Sequence, residues 1–350
     1  MSSFSTAKQG ASVRCPSCGS TLKFDPETQK LVCDSCGSSF SEEELKSKSS
    51  NSEKTSETFD DELKDYHCPS CGAEILADEH TTTEFCMYCG NPVVFKGRVS
   101  GQMKPNSIIP FSISKERAKE ILKDYLKQHS FVPSSFFKEA NLEKISGVYY
   151  PFWEADIDTN SSILAEGTTS STWITGNTEH IETRYYDIER VGDIHFEDIS
   201  VNAFSGADKK LIESVLPFPI KNHKDFKMEY LSGFHAKKND LKLKDVSGEI
   251  KSKMQNYSNS VLLDTVSGYE GLTVKNSSSK VLNEKYDYTL LPIWIVNYKY
   301  FGKNWTFAIN GVTGKVFGEI PISRPKLGLT FAGVASAVFA LLALLGGMLI

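Results

Sequence analysis

Beyond Cys89 this 350-residue chain has no cysteine, and all eight of its cysteines lie at or before that point. A secreted, disulfide-stapled fold would spread its cysteines through the body, so that class is excluded. The N-terminus, MSSFSTAKQGASVR, lacks the apolar core of a signal peptide. The cysteine-bearing end is therefore expected in a reducing compartment, the cytoplasm. There is no excess of positive charge either. Lys plus Arg number 39 against 44 Asp plus Glu, a formal net charge of −5. A strongly basic nucleic-acid domain would carry a pI above about 9, so that class is disfavoured. Catalytic signatures are missing as well: HExxH, GxSxG and GxxxxGK[ST] do not occur. Gly311-Val312-Thr313-Gly314-Lys315 is too short for a phosphate-binding loop and reads as a hairpin turn. Hydrophobic residues at 40% and charged residues at 24% make an ordinary globular composition, which excludes wholesale disorder and a polytopic membrane protein.

What is present is a repeated metal-ligand pattern. Cys15-x₂-Cys18-x₁₄-Cys33-x₂-Cys36 is followed by Cys68-x₂-Cys71-x₁₄-Cys86-x₂-Cys89, with identical spacing. Four thiolates satisfy a tetrahedral structural Zn²⁺ and leave no open position. Gly19, Gly37, Gly72 and Gly90 each follow the second Cys of a pair, where a chain wrapped around a metal needs a positive φ. Such short modules cannot fold on a core of their own, so the metal supplies much of their folding free energy. Two zinc ions, one per Cys₄ module, are the expected cofactors. Iron in an S₄ site shares the geometry. A redox dithiol is the other alternative, but no thioredoxin-like βαβ pattern accompanies it. His67 and His80 flank the second module and are expected at the surface.

The chain divides into modules at residues 13–40 and 67–98, an acidic linker at 41–66, a mixed α and β region at 104–323, and an apolar segment at 327–350. The linker carries 4 Lys against 9 Asp plus Glu and almost no large apolar residue, so it cannot bury a core. In the α+β region, Ser114 reads as the N-cap of a helix running to about His129, with Ala118, Ile121, Leu122, Tyr125 and Leu126 on one face. Further helices are expected at 208–216 and 246–257. Strands are expected at 147–158, 163–166, 181–191, 280–288, 292–301 and 305–309, and a hairpin at Asn310-Gly311. Trp153, Trp294 and Trp305, with Tyr149, Tyr150, Tyr298 and Tyr300, are expected in the β core, a ligand groove being the alternative. Tyr150-Pro151-Phe152-Trp153 is echoed by Leu291-Pro292-Ile293-Trp294; two related β units would explain it, a chance match of a few residues being the alternative. Asp156 and Asp158 share a strand face and read as a solvated pair rather than a catalytic one. His129, His180, His195, His223 and His235 show no ligand spacing and are assigned surface or capping roles.

Residues 327–350, LGLTFAGVASAVFALLALLGGMLI, contain no charge. As a helix rising about 1.5 Å per residue they reach about 36 Å, enough to cross a hydrocarbon core about 30 Å thick. Arg324 and Lys326 precede them and hold the N-terminal side in the cytoplasm by the positive-inside rule. The expected location is the cell membrane, single-pass, with the bulk of the chain cytoplasmic and the bilayer as one partner.

The modules CPSCGSTLKFDPETQKLVCDSCG and CPSCGAEILADEHTTTEFCMYCG resemble zinc ribbons of the TFIIB type and related rubredoxin-like ribbons. With PNSIIPFSISKERA, GVYYPFWEADID, YLSGFHAKKND and LPIWIVNYKYFGKNWTFAINGVTGKVFGEIP, the order of segments resembles a family of uncharacterised membrane-linked zinc-ribbon proteins of Gram-positive bacteria. That resemblance implies an α+β multidomain chain: two small Cys₄ zinc ribbons, a mixed α+β domain and a C-terminal transmembrane helix. It brings no biochemical activity. The first module has no net charge and the second carries −2, and each Zn(Cys)₄ core adds −2 more. Phosphate binding draws its affinity from Lys and Arg, so nucleic acid is disfavoured and an unidentified protein is the expected partner. The expected function is a membrane-anchored interaction module without enzyme activity. Transcription-apparatus binding and a hydrolase-like or ligand-binding α+β domain are the alternatives.

Overall fold

The computed structural model describes residues 8–9, 13–41, 43–45, 66–67, 74–75, 81–85, 92–94, 104–137, 145–300 and 302–347. Around the first cysteine module runs a small antiparallel sheet of β1 (Lys23–Asp25), β2 (Lys30–Val32) and β3 (Ser39–Phe40). The Asp25 carboxylate accepts from the backbone N–H groups of Glu27 and Thr28 and so shapes the β1–β2 turn. Two-residue pieces at Lys8–Gln9, Tyr66–His67 and Glu74–Ile75 form a separate sheet.

The main sheet has ten strands. They are β4 (Thr81–Phe85), β5 (Pro92–Val94), β6 (Ser107–Ile108), β7 (Ser146–Thr175), β8 (Thr178–Asn202), β9 (Lys224–Asp225), β10 (His235–Lys237), β11 (Gly271–Tyr300), β12 (Lys303–Asn310) and β13 (Val316–Gly318). The order is β9-β6-β11-β7-β10-β4-β5, with β8 on β7, β12 on β11 and β13 on β12. The helices are α1 (Lys115–Lys127), α2 (Lys209–Glu213), α3 (Leu243–Asp264) and α4 (Arg324–Gly347). Ser114 caps α1 as its sequence predicts, accepting from the Arg117 N–H.

Strands β7 and β11 each run 30 residues, about 100 Å of chain at about 3.3 Å per residue. The strands expected at 147–158 and 163–166 are one strand, as are those at 280–288 and 292–301. In β7 the joining residues Thr159–Ser162 are all Ser, Thr or Asn, which hid this continuity, and in β11 Pro292 follows the short join Thr289–Leu291 and read as a strand start. Thr159 and Ser161 are buried nonetheless; only toward the tip, at 171–180, are both faces wet, where alternation of apolar and polar residues is not needed. Near the core, alternation is plain. Leu290, Trp294, Val296 and Tyr298 of β11 join the cluster under α1, while Leu291 and Ile293 join Phe152 and Ile109 under α2. Helix α3 buries Val246, Ile250 and Met254 against Ala155, Ile157, Ile199 and Val201.

The echoed segments face each other. Tyr150 and Leu291 are register partners in the antiparallel β7–β11 pair. Each strand returns through a partner that ends in a buried Asn: Phe152 pairs with Asn202, and Ile293 with Asn310. The next N–H in each case donates to the proline carbonyl, Ala203 to Pro151 at 2.9 Å and Gly311 to Pro292 at 2.8 Å. The two echoed segments thus pair about a local two-fold axis.

Both cysteine modules touch this sheet. Leu22, Phe24, Leu31 and Phe40 of the first share one core cluster with Tyr149, Phe234 and Trp294. Phe24 N–H donates to Ser232 O (2.9 Å), the Ser232 hydroxyl donates to Leu22 O (2.5 Å), and the Gln29 amide reaches Phe111 O (2.8 Å). From the second module, β4 pairs with β10, and the Thr82 and Thr83 hydroxyls donate to the carbonyls of Ala236 and Phe234. The apolar helix α4 leaves the domain with its base pinned: Lys326 Nζ donates to Val132 O, and Ser323 N–H to Phe131 O. Of the 41–66 linker, the described residues Glu43–Leu45 form a helical turn, and most of the rest lies outside the described residues.

Candidate metal centre

Two knuckles of the same construction bring four cysteines together. In the first, Gly19 N–H donates to Cys15 O, and Cys15 N–H donates to Ser20 O. In the second, Gly37 N–H donates to Cys33 O, and Cys33 N–H donates to Ser38 O. Gly19 and Gly37 have φ of 77° and 72°, the left-handed backbone that lets each knuckle close without a Cβ penalty. Cys15 and Cys33 are buried, and Cys18 and Cys36 face outward.

Cys15 Sγ lies 3.7 Å from Cys36 Sγ, and Cys18 Sγ 3.5 Å from Cys33 Sγ. All four sulfurs are within 4.8 Å of one another. Sulfurs held about 2.3 Å from a central ion at tetrahedral angles sit about 3.8 Å apart, whereas a disulfide needs about 2.05 Å. The donor set and its spacing therefore fit one metal ion of the zinc type. The hydroxyl and then the backbone N–H of Ser20 hold the Cys18 thiol below its ordinary value. Ser38 does the same to Cys36, bringing it down to about 6. Both effects favour the thiolate, which is the ligating form.

No protein-family profile matches the chain, and no solved structure matches it. An uncharacterised protein of Bacillus subtilis strain 168, YdjG, is 32% identical over 339 residues, covering 97% of this chain and 98% of the relative. The chain belongs to the YdjG family. The YdjG-family likeness runs over nearly the whole of both chains.

Among the described residues of this YdjG-family chain, Cys15, Cys18, Cys33 and Cys36 form a four-cysteine cluster. Cys68, Cys71, Cys86 and Cys89 lie outside the described residues, as do Gly72, Gly90 and His80. The expected aromatic core is present: Tyr149, Tyr298 and Trp294 are buried, and Trp153, Tyr300 and Trp305 pack against it. Trp294 Nε1 donates to Ile113 O, and its ring also edges a cleft of about 450 Å³ between the first cysteine module and the start of α1, lined by Lys23, Asp34 and His235 among others. Asp158 is a surface residue whose Oδ1 lies 2.6 Å from His195 Nδ1, and Asp156 accepts from Asp198 N–H.

One assignment needs correcting in part. His223 does cap a short helical turn, its backbone N–H donating to Ile220 O, but its ring is not a surface group and faces Glu154 and Asp198. Glu154 sits on β7, 3% exposed. Asp198 sits at a bulge in β8, with φ of 53°. Between Ala155/Ile199 and Ile157/Phe196 the strands are out of step, so Glu197 and Asp198 oppose the single Asp156. Burial, with the neighbouring Asp198 charge, pushes the Glu154 carboxyl up to about 8. These three residues have no sequence spacing in common. The signals available were a glutamate placed among core residues in YPFWEAD and a histidine beside the PFPIKNH turn.

Proposed function

We propose that this YdjG-family protein is a zinc-stabilised, membrane-anchored scaffold on the cytoplasmic face that binds a protein partner. Helix α4 supports the anchor: residues Arg324–Ala343 have a mean hydropathy of 1.8 and none of that window is buried against the domain. Arg324 and Lys326 at its base favour a cytoplasmic orientation for the domain. Cys68, Cys71, Cys86 and Cys89, with spacing identical to the first set, are proposed to hold a second zinc in a second ribbon.

The observation that carries the scaffold reading is the tip of the β7–β8 arm. Ile174, Ile181 and Tyr185 are 72%, 67% and 65% exposed. Register puts these three on one face and Trp173 and Tyr186 on the other. Apolar side chains clustered in the open mark protein interaction sites. A ligand-binding reading is favoured by one observation, the cleft beside Trp294.

Cross-linking in native membranes, with capture of the full-length protein, tests the proposal. The wild type is expected to capture a reproducible protein partner. An Ile174→Ser, Ile181→Ser variant is expected to lose it while staying in the membrane fraction with unchanged zinc. Capture of nucleic acid, or of nothing, overturns the scaffold reading.

A further inference from the structure

The Glu154, Asp198 and His223 cluster is built unlike an ordinary salt bridge. His223 Nε2 is 3.7 Å from both Glu154 Oε2 and Asp198 Oδ2, beyond hydrogen-bond range. Those three atoms are buried, and none has a hydrogen-bond partner. Glu154 uses its other oxygen to accept from the Ser200 hydroxyl, so its side chain is fixed with Oε2 aimed at the gap. Orphaned buried acceptors are costly, at about 1–3 kcal/mol each and more when charged. Asp198 also holds a left-handed backbone that a non-glycine residue rarely adopts, and such strain collects at functional sites. Three separate segments (β7, the β8 bulge and the turn before β9) thus converge three ligand atoms on one point.

Their spacing suits an ion. Nitrogen and oxygen ligands about 2.1 Å from a metal at tetrahedral angles lie about 3.4 Å apart, a few tenths of an ångström inside the distances present. The surroundings suit a cation, because Asp156 bonds the Asp198 N–H and Lys285 is engaged by Asp287. Local pseudo-symmetry shows what is special here. The position equivalent to Glu154 in the other β unit is Ile295, and the β11–β12 pair carries no bulge. We propose that Glu154, Asp198 and His223 form a second kind of metal site, which takes a divalent transition-metal ion of the zinc class. Imidazole with carboxylates suits such ions. Three side chains supply three ligands, one fewer than the closed four-sulfur centre, so a further ligand would complete the ion's shell.

Cobalt titration of the full-length protein in detergent, chelator-stripped and kept reduced, separates the two kinds of site. Cysteine-bound Co²⁺ gives intense thiolate-to-metal charge transfer, whereas a nitrogen and oxygen site gives only weak d–d bands. A further Co²⁺ per chain with only weak bands is expected. Its loss is expected in Glu154→Gln and His223→Ala, with the thiolate bands unchanged, and its retention in Asp158→Asn. The inference is overturned if the wild type takes up no cobalt beyond its thiolate sites, or if folded Glu154→Gln and His223→Ala proteins keep it. Should those variants not fold, X-ray absorption of the zinc-loaded wild type decides. Imidazole scattering beside the sulfur shell supports the site, and sulfur scattering alone overturns it.

Discussion

Gly19 and Gly248 show how one substitution changes sign with backbone conformation. Neither position has an atom within 4 Å of an added Cβ, so packing does not decide the outcome. Gly19 has φ of 77° in a cysteine knuckle, where an L residue costs about 1–2 kcal/mol. Gly248 lies on the exposed side of α3, where Ala is favoured by about 1 kcal/mol. Thermal unfolding is expected to show Gly19→Ala destabilised and Gly248→Ala stabilised. His195 and Asp158 give a pH prediction. The hydrogen bond that His195 donates to the Asp158 carboxylate raises the His195 pKa, and the same bond lowers that of Asp158. The histidine's contribution is complete below its ordinary pKa of about 6.5 and is lost as pH rises through the raised value. The aspartate's contribution holds above about 3.9 and is lost as pH falls through the lowered value. Both side chains are largely exposed, so the effect on stability is small. NMR titration of the His195 ring should show a midpoint above 6.5 that falls back in Asp158→Asn. At this scale the cysteine spacing and its glycines were legible, because metal chemistry fixes local spacing. Glu154, Asp198 and His223 were not, because only tertiary pairing of β7, β8 and the turn before β9 joins them.

Among the elements, α1 and α3 announced themselves through their apolar stripes, and the β12–β13 hairpin through Asn310-Gly311. The long arms did not, since polar segments such as Ser277–Ser279 interrupt the pattern that marks a half-buried strand. Docking of the first cysteine module was also hidden, because nothing in Leu22 or Phe24 says which surface they meet. Phe24 packs edge-on to Tyr230 at 5.3 Å and is almost fully buried. Phe24→Ala is expected to destabilise the protein by about 3 kcal/mol, measured by denaturant unfolding, and to speed zinc release to a chelator. Helix α4 supplies the other prediction at this scale. A chain lacking residues 327–350 is expected in the soluble fraction with its fold intact, while the full chain needs detergent for extraction. Fractionation followed by circular dichroism checks both points.

In the whole molecule, the first cysteine module and the main sheet share one core cluster. A metal bound by the four cysteines would therefore also hold one wall of that core. Ligands that bind only the folded state stabilise all that unfolds with it, so the ribbon and sheet should lose structure together. The composition placed the molecule among globular, cysteine-localised, C-terminally apolar proteins, but it could not show that the modules are fused rather than strung on a linker. That fusion rests on burial of Phe24, Leu31 and Phe40 and on the backbone bonds at Ser232. The most direct measurement is zinc per chain, together with the unfolding midpoint, for the full-length wild type and for Cys33→Ser/Cys36→Ser. The variant is expected to hold one zinc fewer and to unfold at a clearly lower temperature in a single transition. Unchanged zinc content, or a domain whose midpoint ignores the loss, would contradict a metal-closed ribbon built into the core.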